Sequence, residues 1–517
     1  MKTITEIYDR FIDKLGMPEE RLGSLLREDR GQKITSFLVA FFGGIILYAP
    51  TILKWLPHQD GIYYGIYYRA LSSYAVENSG GRFGNTFLAH LKGLFIFPAF
   101  DVILSAFFLA LAVTLIINHF QIKDKISNVI LSLLLVASPC FFTTITYYYC
   151  TDAYFFALLL SVIAFYIMNK KKNIWRLIVS GSIMAIVLSI YQVYIFITAS
   201  LCIMDMILLM MENQTKLKQI LKNAVWYILC AGIGAFFYFV SFLYIQKIWC
   251  VQAFSAHGFD ASKKVTGNEI LTQILQPYKD FFAYYFGGNF THNGISRALL
   301  NVIVILTFLW ISIRFLKDKQ NGKPKRVLFL ACILILPFVF QGVSVLSARA
   351  PIYILMFPTA GLLYVLTIAL MDRTPNNKGL YLGKRITCTI LTIICFTLFV
   401  EACQYQSGRN RNIMSAYGTA TEVARQIEKV PNNREYSIIV VGTTNESEIV
   451  YNGTFAETLG WLSYMRQYIG LDYNMSEEGA MNSVIDTDQF KQMPMFPEEG
   501  FVNVIDGNIV VKISEPR

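Results

Sequence analysis

The fold is decided by apolar stretches such as PAFDVILSAFFLALAVTLIIN, residues 98–118, which contains a single charged residue. About 20 consecutive apolar residues are needed for a helix to cross the roughly 30 Å hydrocarbon core of a bilayer. Further stretches of this kind occur at 34–54, 127–146, 153–169, 175–190, 192–211, 224–246, 297–316, 327–342, 351–371 and 386–403. The sequence therefore predicts an all-α polytopic membrane protein with about 11 transmembrane helices.

Composition supports a membrane protein and excludes several other classes. The 517 residues are 55% hydrophobic and 15% charged, whereas soluble domains carry about 25% charged residues. Nine cysteines are scattered without a CxxC pair, which argues against a disulfide framework or a zinc site. The continuous apolar run from 175 to 211 is too long for one crossing. We divide it at Ser189-Ile190-Tyr191-Gln192, where polar atoms favour a turn.

The net charge of +10 indicates topology rather than nucleic-acid binding. Residues 404–517 contain 15 acidic and 9 basic residues, so their net charge is about −6. The membrane part therefore has a net charge of about +16. Lys and Arg cluster in the short loops on one side of the predicted helices, and that side is expected to be cytoplasmic. Eleven crossings that start in the cytoplasm place the C-terminus outside.

Three parts of the chain follow from this topology. Residues 1–33 form a cytoplasmic amphipathic N-terminus, and residues 34–403 form the membrane domain with large outer loops at 55–97 and 247–296. Residues 404–517 read as a small α/β domain outside the membrane, with two helices, a buried strand at 436–442 and a hairpin at 501–513. Three tyrosines are candidates for contacting a surface glycan from this domain: Tyr464, Tyr468 and Tyr473.

The first outer loop supplies a candidate general base. Asp60 follows the first predicted helix directly, so its carboxylate lies at the membrane surface, where it reaches an acceptor hydroxyl beside a lipid-borne substrate. The alternative is an interfacial Asp that caps the next helix. The same loop contains a tyrosine-rich stretch with Tyr64 and Tyr68, typical of a helix in the headgroup region that anchors the chain or guides a lipid tail.

Arginines provide candidate phosphate ligands. Arg82 lies among glycines in Asn78-Ser79-Gly80-Gly81-Arg82-Phe83, where backbone N–H groups and a guanidinium approach a phosphate together, although a simple turn also fits. Arg349 stands alone in a short outer loop and needs an anion, or it extends to lipid headgroups. Arg69 is a third candidate. Asp152, at the start of a predicted helix, is expected to hold a sugar hydroxyl, pair with a cation or cap the helix.

These features favour glycosyl transfer at the outer face of the membrane. No P-loop is present, and nucleotide sugars are absent outside the cell, so an activated sugar has to arrive on a lipid carrier. A flippase or exporter, and a polymerase or ligase with a polyprenyl-diphosphate glycan donor, remain alternatives. A receptor or scaffold explains Asp60 and Arg82 together less well.

The sequence resembles the type II serotype-converting glucosyltransferases, polytopic enzymes related to the C-type (GT-C) glycosyltransferases. The resemblance rests on Asp60-Gly61, on Gly81-Arg82-Phe83, on Tyr149-Cys150-Thr151-Asp152-Ala153-Tyr154, on Ser189-Ile190-Tyr191-Gln192, and on Ile438-Ile439-Val440-Val441-Gly442. Phe83 departs from the Trp expected in many relatives, but it retains an aromatic ring for stacking on sugar.

The resemblance implies an inverting enzyme of the bacterial cytoplasmic membrane that transfers glucose from undecaprenyl phosphate to a surface polysaccharide such as O-antigen. By position, Asp60 matches the catalytic base of the wider superfamily. We expect Arg82, Arg349 and Arg69 to hold the donor phosphate and Asp152 to orient a hydroxyl. The expected sugar or lipid contacts are Tyr64, Tyr68, Phe83, Tyr149, Tyr191 and Gln192. No cofactor and no metal are expected, and the partners are the lipid donor, the polysaccharide and the bilayer.

Overall fold

The structure is a computed structural model that describes residues 30–62, 77–93, 96–122, 124–170, 172–212, 215–249, 267–287, 294–318, 320–346, 352–374, 378–444 and 453–516. Three expectations lie outside these residues: the amphipathic helix before residue 30, the tyrosine-rich helix with Tyr64 and Tyr68, and the positions of Arg69 and Arg349.

The described chain is dominated by helices. In chain order they are α1 (Arg30–Lys54), α2 (Phe83–Leu91), α3 (Pro98–His119), α4 (Lys125–Val136), α5 (Pro139–Thr144), α6 (Thr151–Met168), α7 (Ile174–Ile190), α8 (Ile195–Met211), α9 (Leu217–Trp249), α10 (Gly267–Phe286), α11 (Gly294–Lys317), α12 (Lys323–Phe340), α13 (Val343–Leu346), α14 (Leu362–Arg373), α15 (Lys378–Ile427), α16 (Thr454–Tyr468), α17 (Glu478–Ile485) and α18 (Asp488–Gln492). The strands are β1 (Ser437–Val441), β2 (Val502–Ile505) and β3 (Asn508–Lys512).

Within the described residues, eight helical segments are long and apolar enough to cross a membrane. Seven of these segments lie close in position to predicted spans, and the eighth segment is the membrane part of α15. The division of the 175–211 run is confirmed, because α7 ends at Ile190, Tyr191 is extended with φ −158°, and α8 begins at Ile195. α7 itself is a shorter apolar helix of 17 residues.

One predicted crossing needs correction, and one predicted outer segment contains a helix. The predicted crossing at 351–371 contains a helix only over α14, which has 12 residues and follows a short 3-10 turn at Ile354–Met356. Pro358 and Gly361 interrupt the apolar run, because Pro disfavours a helical conformation in the residue before it and Gly is a poor helix former. The predicted loop 247–296 contains the 20-residue helix α10, which is amphipathic rather than uniformly apolar.

The C-terminal elements follow the sequence pattern. β2 and β3 form the predicted hairpin around Asp506 and Gly507, whose φ angles of 47° and 73° fit a tight turn between antiparallel strands. β1 pairs in parallel with β3, which gives the sheet order β1-β3-β2. We refer to the sheet, α16–α18 and the distal end of α15 as the C-terminal domain.

A single 50-residue helix, α15, runs from the bundle into the C-terminal domain. Its first half packs in the apolar core of the bundle through Leu391 and Leu398, and its second half packs in the core of the domain through Ala420 and Val423. The domain is therefore attached through a continuous helix rather than through a linker.

The expectation that Tyr464 and Tyr468 are exposed on this domain is wrong. Tyr464 is fully buried, and its hydroxyl donates to the carbonyl of Ile413 at 2.6 Å. Tyr468 is half-buried, stacked between Tyr464 and Trp55. Both rings serve packing, because large aromatic side chains bury more apolar area than other residues.

Candidate functional site

A glycine-containing turn places Arg82 at the start of α2. The N–H of Arg82 donates to the carbonyl of Glu77 at 2.8 Å, and the N–H of Gly81 donates to the carbonyl of Asn78 at 3.1 Å. This stretch is therefore a turn that presents a guanidinium, and the binding of a phosphate there stays a prediction.

The turn is held against α7 and α9 by close backbone packing. Gln192 donates its Nε2 to the carbonyl of Gly80 at 2.9 Å, and Tyr238 on α9 donates its hydroxyl to the carbonyl of Gly81 at 3.2 Å. A Cβ on Gly81, which has φ +75°, would lie 2.2 Å from the Tyr238 oxygen, and a Cβ on Gly84 would lie 2.3 Å from Oγ of Ser189. Only glycine fits these positions without displacement.

Aromatic side chains lie around Arg82. The guanidinium lies 5.0 Å from the ring centre of Tyr191, a distance typical of a cation–π contact. Tyr191 stacks in turn on Tyr154, with ring centres 4.4 Å apart and planes within 5°. Tyr149 is also buried in this part of the molecule. Nε of Arg82 is buried without a hydrogen-bond partner, so the guanidinium retains capacity for an anion.

Glu77 is a buried carboxyl beside this arginine. Its Oε2 lies 3.8 Å from Nη1 of Arg82, too far for a hydrogen bond, and has no other partner. Burial raises the pKa of Glu77, and the negative charge of Asp60 adds to this rise. The positive charge of Arg82 and a hydrogen bond with Asn85 oppose it. The pair therefore leaves both partners incompletely satisfied, which is unusual for buried charged groups.

Asp60 acts through its charge on groups that lie near Arg82. Besides acting on Glu77, its charge adds to the effect of burial in raising the pKa of Tyr149. The Asp60 side chain is 24% exposed, and the residue lies in the first turn of a helix that begins after His58. The Asp60 N–H donates to Nδ1 of His58 at 3.3 Å. The charge of Asp60 therefore acts on two groups, Glu77 and Tyr149, that also interact electrostatically with Arg82.

His58 remains neutral over the physiological pH range. Burial, together with the smaller effect of the positive charge of Arg409, lowers the pKa of His58 to about 3. Its ring stacks on Tyr147 with centres 4.4 Å apart. A neutral imidazole whose Nδ1 accepts a backbone hydrogen bond orients the Asp60 turn and carries no charge of its own there.

Asp152 takes part in an ion-pair network. Nζ of Lys92, which follows α2, lies 3.0 Å from Oδ2 of Asp152 and 3.1 Å from Oδ1 of Asp101. Of the three expectations for Asp152, pairing with a cation is confirmed. Capping is wrong, because Asp152 lies inside the first turn of α6, whose N-cap residue is Cys150. Burial lowers the pKa of Lys92, but the two carboxylates outweigh that effect and raise it.

The remaining predicted contacts are distributed around the turn. Phe83 is half-buried and stacks on Tyr238 at 6.0 Å. Gln192 is buried and bonded as described above, and Tyr191 and Tyr149 are buried near Arg82. Arg69, Arg349, Tyr64 and Tyr68 lie outside the residues that the structure describes.

Sequence reasoning missed Glu77, Lys92, Asp101 and Tyr238. A signal existed for Asp101, because an ionisable residue inside a membrane span is energetically costly and usually pairs with another polar or charged group. Glu77 lies five positions before Arg82, and no spacing rule assigns a contact between them. Tyr238 lies in the middle of a uniformly apolar helix, so its contact with the turn depends entirely on tertiary packing.

Together, the fold and the site define a helical membrane protein in which the guanidinium of Arg82 lies beside the carboxyl of Glu77 and among buried aromatic rings. The family model of glucosyl transferase GtrII matches residues 67–371, more than half of the chain. The chain belongs to the GtrII glucosyl transferase family. Arg82 and Asp152 lie inside the matched region, whereas Asp60 and the C-terminal domain lie outside it. None of the curated proteins that were compared matches the chain.

Proposed function

We propose that this protein transfers glucose, or a similar hexose, from a polyprenyl-phosphate donor to a cell-surface polysaccharide on the outer face of the membrane, with inversion at the anomeric carbon. Membership of a glucosyltransferase family and the membrane-helix character support the sugar and the bilayer. The observation that carries the proposal is the buried Nε of Arg82, which has no hydrogen-bond partner and belongs to a guanidinium beside the ring of Tyr191 and the buried carboxyl of Glu77.

The proposed reaction is a single displacement. Asp60 accepts the proton of an acceptor hydroxyl, and the oxygen of that hydroxyl attacks the anomeric carbon of the donor. The bond between that carbon and the phosphate oxygen breaks, and its electron pair leaves with polyprenyl phosphate. Arg82 would bind the phosphate and stabilise the charge that develops on it, with Arg349 and Arg69 as further proposed ligands.

The ion-pair network has a supporting part in this proposal. Asp152 would orient a sugar hydroxyl while Lys92 holds its carboxylate at the start of α6. The rings of Tyr149 and Tyr191 exclude water from the surroundings of Arg82, which strengthens the interaction between guanidinium and phosphate. Phe83 and Gln192 complete the proposed sugar-facing surface, and Tyr64 and Tyr68 are proposed to guide the lipid tail.

The test is a transfer assay with purified protein in detergent. We expect polyprenyl-phosphate glucose and a surface glycan to give a glycan heavier by one hexose, detected by mass spectrometry, together with free polyprenyl phosphate. Transfer from a polyprenyl-diphosphate oligosaccharide alone would instead favour a polymerase or ligase. Movement of the lipid-linked sugar across a vesicle bilayer without transfer would favour a flippase. Either outcome would contradict the proposal.

A further inference from the structure

The segment that carries Asp60 is embedded in the C-terminal domain. This segment, residues 55–62, follows α1 directly and is called the Asp60 segment below. Two of its apolar residues, Leu56 and Ile62, are 1% and 0% exposed. They belong to the same hydrophobic cluster as Trp461 and Tyr464 of α16, and not to the core of the membrane bundle. Asp60 is thus flanked on both sides by residues that the C-terminal domain buries.

Hydrogen bonds from α16 hold both ends of the Asp60 segment. The hydroxyl of Tyr468 donates to the carbonyl of Trp55 at 3.0 Å, and the two rings stack with centres 5.3 Å apart. At the other end, Nε2 of Gln467 donates to the carbonyl of Ile62 at 3.1 Å. Two adjacent residues of one helix therefore fix the entry and the exit of a segment only eight residues long.

A third contact comes from the long helix α15. Arg409 is buried, and its Nη2 donates to the carbonyl of Pro57 at 2.6 Å. From the bundle side, the N–H of His58 donates to the carbonyl of Thr146 at 2.9 Å, and the N–H of Leu56 donates to the hydroxyl of Tyr148 at 2.8 Å. The segment is therefore clamped between the bundle and the domain.

We propose that the C-terminal domain positions the catalytic carboxylate, with Gln467, Tyr468 and Arg409 as positioning residues for Asp60. This inference rests on the proposed function, because it takes Asp60 to be the base. A carboxylate that accepts a proton in a displacement has to be held within a fraction of an ångström of the acceptor, and a misplacement of about 1 Å can cost about a hundredfold in rate.

Matched variants separate this role from general stability. The double variant Gln467→Met, Tyr468→Phe removes both hydrogen bonds to the Asp60 segment and preserves side-chain volume and the ring stacking. The control Gln426→Met, Ser476→Ala removes one amide and one hydroxyl hydrogen bond in the same domain, to Glu422 and Asn508, far along the chain from the segment.

Two measurements are made on both variants and on the full-length wild-type protein. The first is hydrogen–deuterium exchange of the amides of residues 56–62, which reports the order of the segment without needing activity. The second is steady-state transfer from polyprenyl-phosphate glucose, with kcat and the donor KM determined separately.

We expect faster exchange in residues 56–62 and a kcat lower by about tenfold or more, with an unchanged donor KM, in the double variant alone. Unchanged exchange in the double variant, or an equal loss of kcat in the control, would overturn the inference. A raised donor KM with normal kcat would also overturn it, because the domain would then serve donor binding. If the wild-type protein transfers no sugar, the proposed function fails, and the exchange result alone decides whether the domain orders the segment.

Discussion

Arg82 is the residue on which donor binding depends in this proposal, and its surroundings explain why an arginine is suited to the position. A planar guanidinium stacks on Tyr191 and still offers several N–H groups to a phosphate. A lysine is a compact ammonium that makes neither the stacked contact nor a two-pronged grip.

We expect Arg82→Ala to weaken binding of the lipid-phosphate donor by about a hundredfold and Arg82→Lys by about tenfold, because charge-assisted hydrogen bonds contribute about 1.5–3 kcal/mol each. The measurement is donor affinity in detergent, with Arg434→Ala as the control because that arginine forms an exposed pair with Glu428. Equal affinities for the two Arg82 variants would argue against direct contact with phosphate.

Asp60→Asn tests the base. The amide keeps the shape of the side chain but does not accept the acceptor proton, so kcat should fall by about 10²–10⁴-fold while the donor is still bound. Asp472→Asn, which changes an exposed carboxylate of the C-terminal domain, should leave kcat unchanged. Normal turnover by Asp60→Asn would remove Asp60 from the mechanism.

Glu77 introduces a dependence of donor binding on pH. Because the pKa of Glu77 is raised by burial, the carboxyl stays protonated to a higher pH than usual and becomes negative as the pH rises through its raised pKa. The charge then lies beside Arg82 and opposes a phosphate. The wild-type dissociation constant for the donor should therefore rise with pH across that interval, by about three- to tenfold.

Glu77→Gln should abolish this rise, and the donor should bind more tightly than in the wild-type protein on the alkaline side. Ionisation of the buried carboxyl also lowers the free energy of unfolding as the pH rises through the folded-state pKa, a loss that the Gln variant lacks. Donor affinity and chemical denaturation at a series of pH values measure the two effects. An identical pH profile for the two proteins would contradict the assigned role of Glu77.

Among the helices, α2 carries Arg82 and is placed by its fit against α7. Gly84 permits this fit, because a Cβ there would lie within 3.0 Å of the Ser189 backbone as well as against its hydroxyl. Backbone atoms cannot move aside as the end of a flexible side chain can, so a larger residue must displace α2.

Gly84→Ala should therefore reduce stability by about 1–3 kcal/mol and weaken donor binding, although alanine is the better helix former. Gly232→Ala on α9 is the matched control, since a Cβ there meets no atom within 4 Å. That variant should be neutral or slightly stabilising. The midpoint of denaturation in detergent and donor affinity check both variants, and a neutral Gly84→Ala would show that α2 tolerates displacement.

The sequence predicts those helices whose ends are determined by the length of an apolar run and by its polar interruptions. The division at Tyr191 was predictable, because length and polar atoms alone require it. The 12-residue α14 and the amphipathic α10 could not be predicted, because hydropathy detects neither an interrupted crossing nor a helix with one polar face. Asp60 and Arg82 could be proposed from local chemistry, whereas the Glu77–Arg82 contact depends on the shape of the turn between them and the Lys92–Asp152 pair on the packing of segments distant in sequence.

The assembly of bundle and C-terminal domain depends on α15. Near the middle of this helix, Glu401 pairs with Arg297 of α11, and both side chains are buried. Further along, Gln406 donates to the carbonyl of Leu47 at 2.9 Å, and Arg409 contacts Pro57. The helix therefore fixes α11, α1 and the Asp60 segment in one arrangement.

Glu401→Gln leaves the charge of Arg297 buried without its counter-charge and should destabilise the protein by about 3–5 kcal/mol. Glu422→Gln on the same helix is the control, because Glu422 pairs with Arg425 in solvent, and its denaturation midpoint should change little. The double variant Arg297→Met, Glu401→Met should recover much of the loss. A midpoint for Glu401→Gln equal to that of its control would exclude a structural role for the buried pair.

The burial of Leu56 and Ile62 in the core of the C-terminal domain has a consequence for biosynthesis. A ribosome completes the Asp60 segment early, but the strands and helices that enclose it are translated more than 350 residues later. A nascent chain would therefore insert most of its crossings before its carboxylate is secured. Premature termination anywhere before β3 should therefore yield a product that inserts into the membrane but transfers no sugar.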